Sequence, residues 1–138
     1  MACGIAAGFR ELAPSVPVYA SEVKGQAPLA KSLQAASPVA IDYTPTFVDG
    51  IGGPHLEPAM WELSSNLLAG SLEVTLAEVA ATVRLLVSSN QIVAEGAGAS
   101  SVAAGLSSVE SRNKIVCVVS GGNLDSAKLA TILAGGIP

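Results

Sequence analysis

Lys114-Ile115-Val116-Cys117-Val118-Val119 runs directly into Ser120-Gly121-Gly122-Asn123, and Asp125–Ala134 then reads as a helix. An apolar, β-branched run of this length predicts a strand buried on both faces, as in parallel sheets. Strand, glycine turn and helix in that order form the basic α/β unit. Working outward, the same alternation recurs. Met1–Leu12 reads as a helix stopped before Pro14. Val16–Ser21 reads as a short buried strand, and Pro28–Ala36 as a helix that tolerates Pro28 in its first turn. Leu56–Leu68 reads as a helix ending before Gly70, with Trp61, Leu56, Leu63 and Leu68 at core spacing. Leu72–Val74 is a short strand. Thr75-Leu76-Ala77-Glu78 is a capping box that opens a helix to about Ser89. Glu95-Gly96-Ala97-Gly98-Ala99 precedes a small-residue helix to about Ser108. The expected fold is α/β, a mainly parallel sheet with helices on its faces. The strands at Val16–Ser21 and Lys114–Val119 should be central.

Composition narrows the function classes. Of 138 residues, 50% are hydrophobic but only 13% are charged and 4% aromatic, against about 25% charged in ordinary domains. Aliphatic residues and 14 glycines suit close helix-on-sheet packing in a single domain. The seven Lys and Arg residues are scattered and the net charge is −4, so nucleic acid is not an expected partner. No apolar run reaches membrane-spanning length, and the start of the chain does not read as a signal peptide. A cytoplasmic location is the expectation. Two cysteines are too few for a disulfide framework or a zinc site, and Cys117 reads as a small buried hydrophobe. The mean hydropathy of +0.53 predicts self-association as a homo-oligomer or aggregate.

Three segments could hold chemistry. At Ser120–Asn123, beyond the carboxyl end of a strand, glycines admit a ligand close to the backbone. Ser120 and Asn123 offer polar groups there, and the following helix offers the positive end of its dipole. An ordinary turn capped by Asn123 or Asp125 fits the same spacing. Glu95 before a glycine-rich helix start could face a ligand, or simply favour the dipole. Asp49-Gly50 reads equally as a turn. His55, the only histidine, sits in a Gly/Pro-rich loop and reads as a surface residue.

Taken in order, these pieces resemble the threonine/serine dehydratase and serine racemase-like group of fold-type-II pyridoxal phosphate enzymes. Met1-Ala2-Cys3-Gly4-Ile5-Ala6 is similar to the helix that follows that family's tetraglycine phosphate loop. Val18-Tyr19-Ala20-Ser21-Glu22 is similar to its strand ending in Glu, and Thr46-x-x-Asp49-Gly50-Ile51 to its Thr-Ile-Ala-Asp-Gly-Ile. Glu95–Ala99 and Ser120–Asp125 complete the series. The resemblance implies a tryptophan synthase beta-like fold in which residues 1–138 form the C-terminal portion of the cofactor domain. It implies pyridoxal 5'-phosphate as cofactor and a hydroxy-amino acid as substrate, with loss of water and release of ammonia.

The cofactor-binding residues it implies are Ser120 on the pyridine nitrogen, Glu95 at the ring edge, Gly50 against the ring, and Gly121 and Asn123 beside them. It also implies a complementary N-terminal half or chain. The family's Schiff-base lysine lies in a Ser-x-Lys-x-Arg-Gly stretch that does not occur here. Lys24, Lys31, Lys114 and Lys128 all lie in other contexts, so no catalytic lysine is expected. Glu22 matches a metal-ligand glutamate of some members. Val23-Lys24-Gly25-Gln26-Ala27-Pro28 lacks the second acid, and a Mg²⁺ or Ca²⁺ site needs several oxygen ligands; no metal is expected. A non-catalytic binding or dimerisation module is the alternative.

Overall fold

The computed structural model describes residues 1–108 and 114–138. The chain is mixed α/β, with a small parallel sheet flanked by helices. Its elements form two compact units, one from Met1–Tyr43 with Gly52–Glu73, the other from Thr44–Ile51 with Val74–Pro138.

In the first unit, helix α1 (Ala2–Leu12) ends at Ala13, whose amide bonds back to Phe9. Strand β1 (Tyr19–Val23) pairs with β2 (Gly70–Val74). Between them lie α2 (Pro28–Ala35) and α3 (Pro58–Leu67), each with a proline at its start, where a missing N–H costs nothing. Helix α3 packs on both α1 and α2. The Arg10 guanidinium donates to the Asn66 carbonyl at 2.7 Å and ties α1 to the end of α3. Ala6, Val23, Ala27 and Leu29 are buried here, with Ser32 and Ser64. The sequence placed Trp61 and Leu63 in the core, but Trp61 is only partly buried and Leu63 is 47% exposed. Helix α3 instead turns Ser64 inward, its hydroxyl satisfied by the Met60 carbonyl. A small residue on that face lets the helix approach its neighbours closely.

In the second unit, the expected capping box opens α4 (Leu76–Leu85). The Thr75 hydroxyl accepts from the Glu78 amide at 3.2 Å, and the Glu78 carboxylate accepts from the Thr75 amide at 2.7 Å. A π-helical turn, Leu86–Asn90, continues α4, and Gln91 in the left-handed region ends it. Helix α5 (Gly96–Ser107) packs on α4, and α6 (Ser126–Leu133) is pinned there by Arg84, which donates to the Ile132 carbonyl at 2.9 Å. Val74, Val79, Ala80, Val83, Ala99, Ala103 and Ile132 form the core. Among the described residues, no helix is long and apolar enough to cross a membrane.

Lys114–Val119 corrects the sequence reading. It belongs to no sheet, and its apolar side chains are not buried on both faces: Ile115, Val116 and Val118 are exposed. Strand character needs a neighbour to complete the hydrogen-bond ladder, and no strand among the described residues lies beside it. The alternation of a strand is nevertheless present. Ile115 and Cys117 reach Gly105 of α5, and Val119 reaches Gly98. Val116, at 88% exposed, faces away. The Val118 carbonyl accepts from the Ser101 hydroxyl at 2.9 Å. Burial against α5 raises the Cys117 thiol above its ordinary pKa. Cys117 is half-buried rather than a core residue.

Candidate cofactor site

Glu95 organises the site. It precedes α5 as its N-cap residue, yet its side chain makes no cap bond to that helix. The carboxylate instead accepts from the Asn123 amide at 3.1 Å, while the Glu95 amide donates to the Gly121 carbonyl at 3.0 Å. Residues 95 and 121–123 are thus stitched together through backbone and side chain. A side chain at Gly121 would force the Glu95 carboxylate to swing away, because its Cβ would overlap those oxygens. Gly98, in the first turn of α5, lies under the same loop: a Cβ there would stand 2.7 Å from the Gly121 carbonyl oxygen.

The Asp49-Gly50 turn arrives from the other side. Thr46 orders it, its hydroxyl accepting from the Val48 amide at 3.1 Å, and Phe47 and Val48 are buried beneath. A Cβ at Gly50 would stand 2.9 Å from Ala97 Cβ and 3.1 Å from Glu95 Oε1. Gly50, Glu95, Gly121 and Asn123 therefore meet within one unit, with Ser120 exposed at the end of the extended run.

Asn123 contributes its main-chain N–H to Glu95, and Asp125 caps α6, accepting from the Ala127 and Lys128 amides at 2.8 and 3.1 Å. The Lys128 ammonium reaches back to Asp49 Oδ2 at 3.3 Å, both side chains remaining exposed. No spacing rule links residues 49 and 128, so only the fold could reveal that pair. Lys24, Lys31 and Lys114 are exposed. His55 is exposed, 3.6 Å from Glu57, a neighbour the sequence reading passed over.

Residues 1–121 match the family described as pyridoxal-phosphate dependent enzyme. The chain belongs to that family. An L-threonine dehydratase (biosynthetic) of Lactococcus lactis is 34% identical over 131 residues, covering 94% of this chain and 32% of the relative. An L-threonine ammonia-lyase of Thermotoga maritima is 27% identical over 135 residues, covering 97% and 34%. This chain therefore spans about a third of the length of the relatives it matches. Among solved structures, the processed form of threonine deaminase isoform 2 from Solanum lycopersicum superposes with a TM-score of 0.86 at 26% identity, over 96% of this chain and 38% of that one. Maize serine racemase gives 0.84 at 26% identity, over 96% and 44%. The fold is that of these enzymes, and the family's cofactor is pyridoxal phosphate.

Proposed function

We propose that residues 1–138 are the C-terminal portion of the cofactor domain of a cytoplasmic hydroxy-amino-acid dehydratase. It would remove water from threonine or serine and release ammonia. The observation that carries this reading is the meeting of Gly50, Glu95, Gly121 and Asn123 beside Ser120, in a chain whose relatives are threonine dehydratases. These residues fit one edge of a flat heteroaromatic ring: closely packed glycine backbone, a carboxylate and an exposed hydroxyl. Bound there, pyridoxal phosphate supplies an electron sink that eases loss of the Cα proton. In this reading Ser120 hydrogen-bonds the ring nitrogen, and a neutral hydroxyl leaves that nitrogen largely unprotonated. The sink is then shallow, which suits prompt elimination over a long-lived carbanion. Glu95 holds the 121–123 loop at the ring edge, and the Gly50 backbone lies against the ring.

The stretch that would carry the Schiff-base lysine does not occur in this sequence. Catalysis requires an amine within reach of the cofactor aldehyde, whereas Lys128 is engaged with Asp49 and the other three lysines are exposed. The chain is therefore inactive by itself, and a complementary N-terminal portion supplies the lysine, the phosphate loop and the substrate-carboxylate loop. The exposed Val116–Val118 edge is a surface for that portion to cover. The same edge also favours a second reading, a non-catalytic dimerisation module.

Co-expression with the upstream region of the Lactococcus lactis relative separates the two. Threonine-dependent release of ammonia is expected from the pair and from neither part alone, and Ser120→Ala or Ser120→Asp should abolish it. A soluble complex that retains no pyridoxal phosphate absorbance would sink the enzymatic reading. Pyridoxal phosphate added to the chain alone should give only a weak, non-specific spectral change.

A further inference from the structure

Glu22 is a buried acid of the first unit, only 9% exposed. It is the next-to-last residue of strand β1 and reaches the start of α2. The first turn of that helix has a capping deficit. Ala27, at the N-cap position, has no side chain able to accept, and Pro28 follows it. Helix starts leave their first amides without intrahelical partners. The next two amides both turn to Glu22: Leu29 donates to Oε1 at 3.0 Å and Ala30 to Oε2 at 2.8 Å. The Ser71 hydroxyl, from β2, donates to Oε2 at 2.7 Å. Three donors from two further elements thus converge on one carboxylate.

This arrangement disagrees with the metal-ligand role that the family resemblance suggests for Glu22. A divalent cation needs several oxygen lone pairs around it. The groups facing Glu22 present hydrogens, and the helix start adds a partial positive charge. Three donors already occupy most of the carboxylate's roughly four lone-pair sites, and a cation that displaced any of them would leave a buried donor without an acceptor, which is costly. Among the described residues, no group of three His, Cys, Asp or Glu side chains could hold a metal ion.

We infer that Glu22 is the cap of α2, supplied from a neighbouring strand, and not a metal ligand. The corner joining β1, α2 and β2 is then independent of divalent cations. This inference stands apart from the dehydratase reading, because it concerns only how the corner is held.

The test is thermal unfolding of the full chain in EDTA and in millimolar Mg²⁺ or Ca²⁺, with calorimetric titration of each cation. A cation bound only to the folded state would raise the midpoint as its concentration passes its dissociation constant. The expected result is a shift of no more than about one degree and no saturable heat. Glu22→Gln, which swaps an acceptor oxygen for a donor, should lower the midpoint by several degrees, equally in EDTA and in Mg²⁺. A midpoint raised several degrees by Mg²⁺ or Ca²⁺ in the native chain, with the rise lost in Glu22→Gln, would overturn the inference. A cation effect that survives in Glu22→Gln lies elsewhere and supports it.

Discussion

Around Glu22, the carboxylate and the donors aimed at it satisfy one another: two helix-start amides, one hydroxyl, two carboxylate oxygens. Around Val116 the chain has similar ingredients for order and reaches only half of it. One side of the extended run lies on α5, with Ile115 and Cys117 against Gly105 and Val119 against Gly98. The other side leaves Val116 at 88% and Val118 at 41% exposed. The difference is one of range. A cap needs a carboxylate within a few residues of the helix start in space, and Glu22 lies only seven positions before Leu29. A strand buried on both faces needs neighbours on each edge and a second layer, which residues 114–119 do not find among the described residues.

The largest expected effect lies on the open side. Exposed apolar edges drive association, so the chain should sediment as oligomers, and Val116→Lys with Val118→Lys should return it to monomer. A native chain that sediments as a monodisperse monomer would break the comparison, because the open edge would then need no cover.

Next comes the closed side of the same run. Gly98→Ala sets a methyl group 2.7 Å from the Gly121 carbonyl oxygen and 3.3 Å from the Gly121 nitrogen. Backbone cannot rotate away, so overpacking should cost about 1–3 kcal/mol, reduced by the ~1 kcal/mol alanine contributes within a helix. Urea unfolding should therefore show a net loss of up to about 2 kcal/mol, together with faster amide exchange at Asn123 as its bond to Glu95 loosens. A neutral or stabilising result would mean that α5 and the loop are less tightly joined than their distances indicate.

The smallest effect is at Lys128 and Asp49. Both side chains are well exposed, at 38% and 65%, and an exposed pair contributes about 0.5 kcal/mol or less. Lys128→Met should change stability by no more than that, and any change should vanish in molar salt. A loss above about 1 kcal/mol would show that the Asp49-Gly50 turn depends on this pair.

Much of the architecture was legible in residue order alone. The helices at Ala2–Leu12, Pro28–Ala35 and Gly96–Ser107, and the Thr75–Glu78 capping box, follow from apolar spacing, proline positions and side chains that cap within three residues. These are local signals, and the interactions that realise them are local too. The ordered series Thr46-x-x-Asp49-Gly50, Glu95–Ala99 and Ser120–Asn123 also carries the family resemblance in sequence alone. Tertiary structure decided the rest. Lys114–Val119 has the composition of a central strand, but pairing depends on what lies beside it. Glu95 and Asp125 both precede helices; Asp125 caps its own, whereas Glu95 turns to Asn123, 28 positions away. Lys128 meets Asp49 across 79 positions. Trp61 and Leu63 have core spacing, yet Ser64 takes the buried place on α3. A sequence determines which groups want a partner within a few residues' reach. Which distant group meets that demand depends on packing in three dimensions.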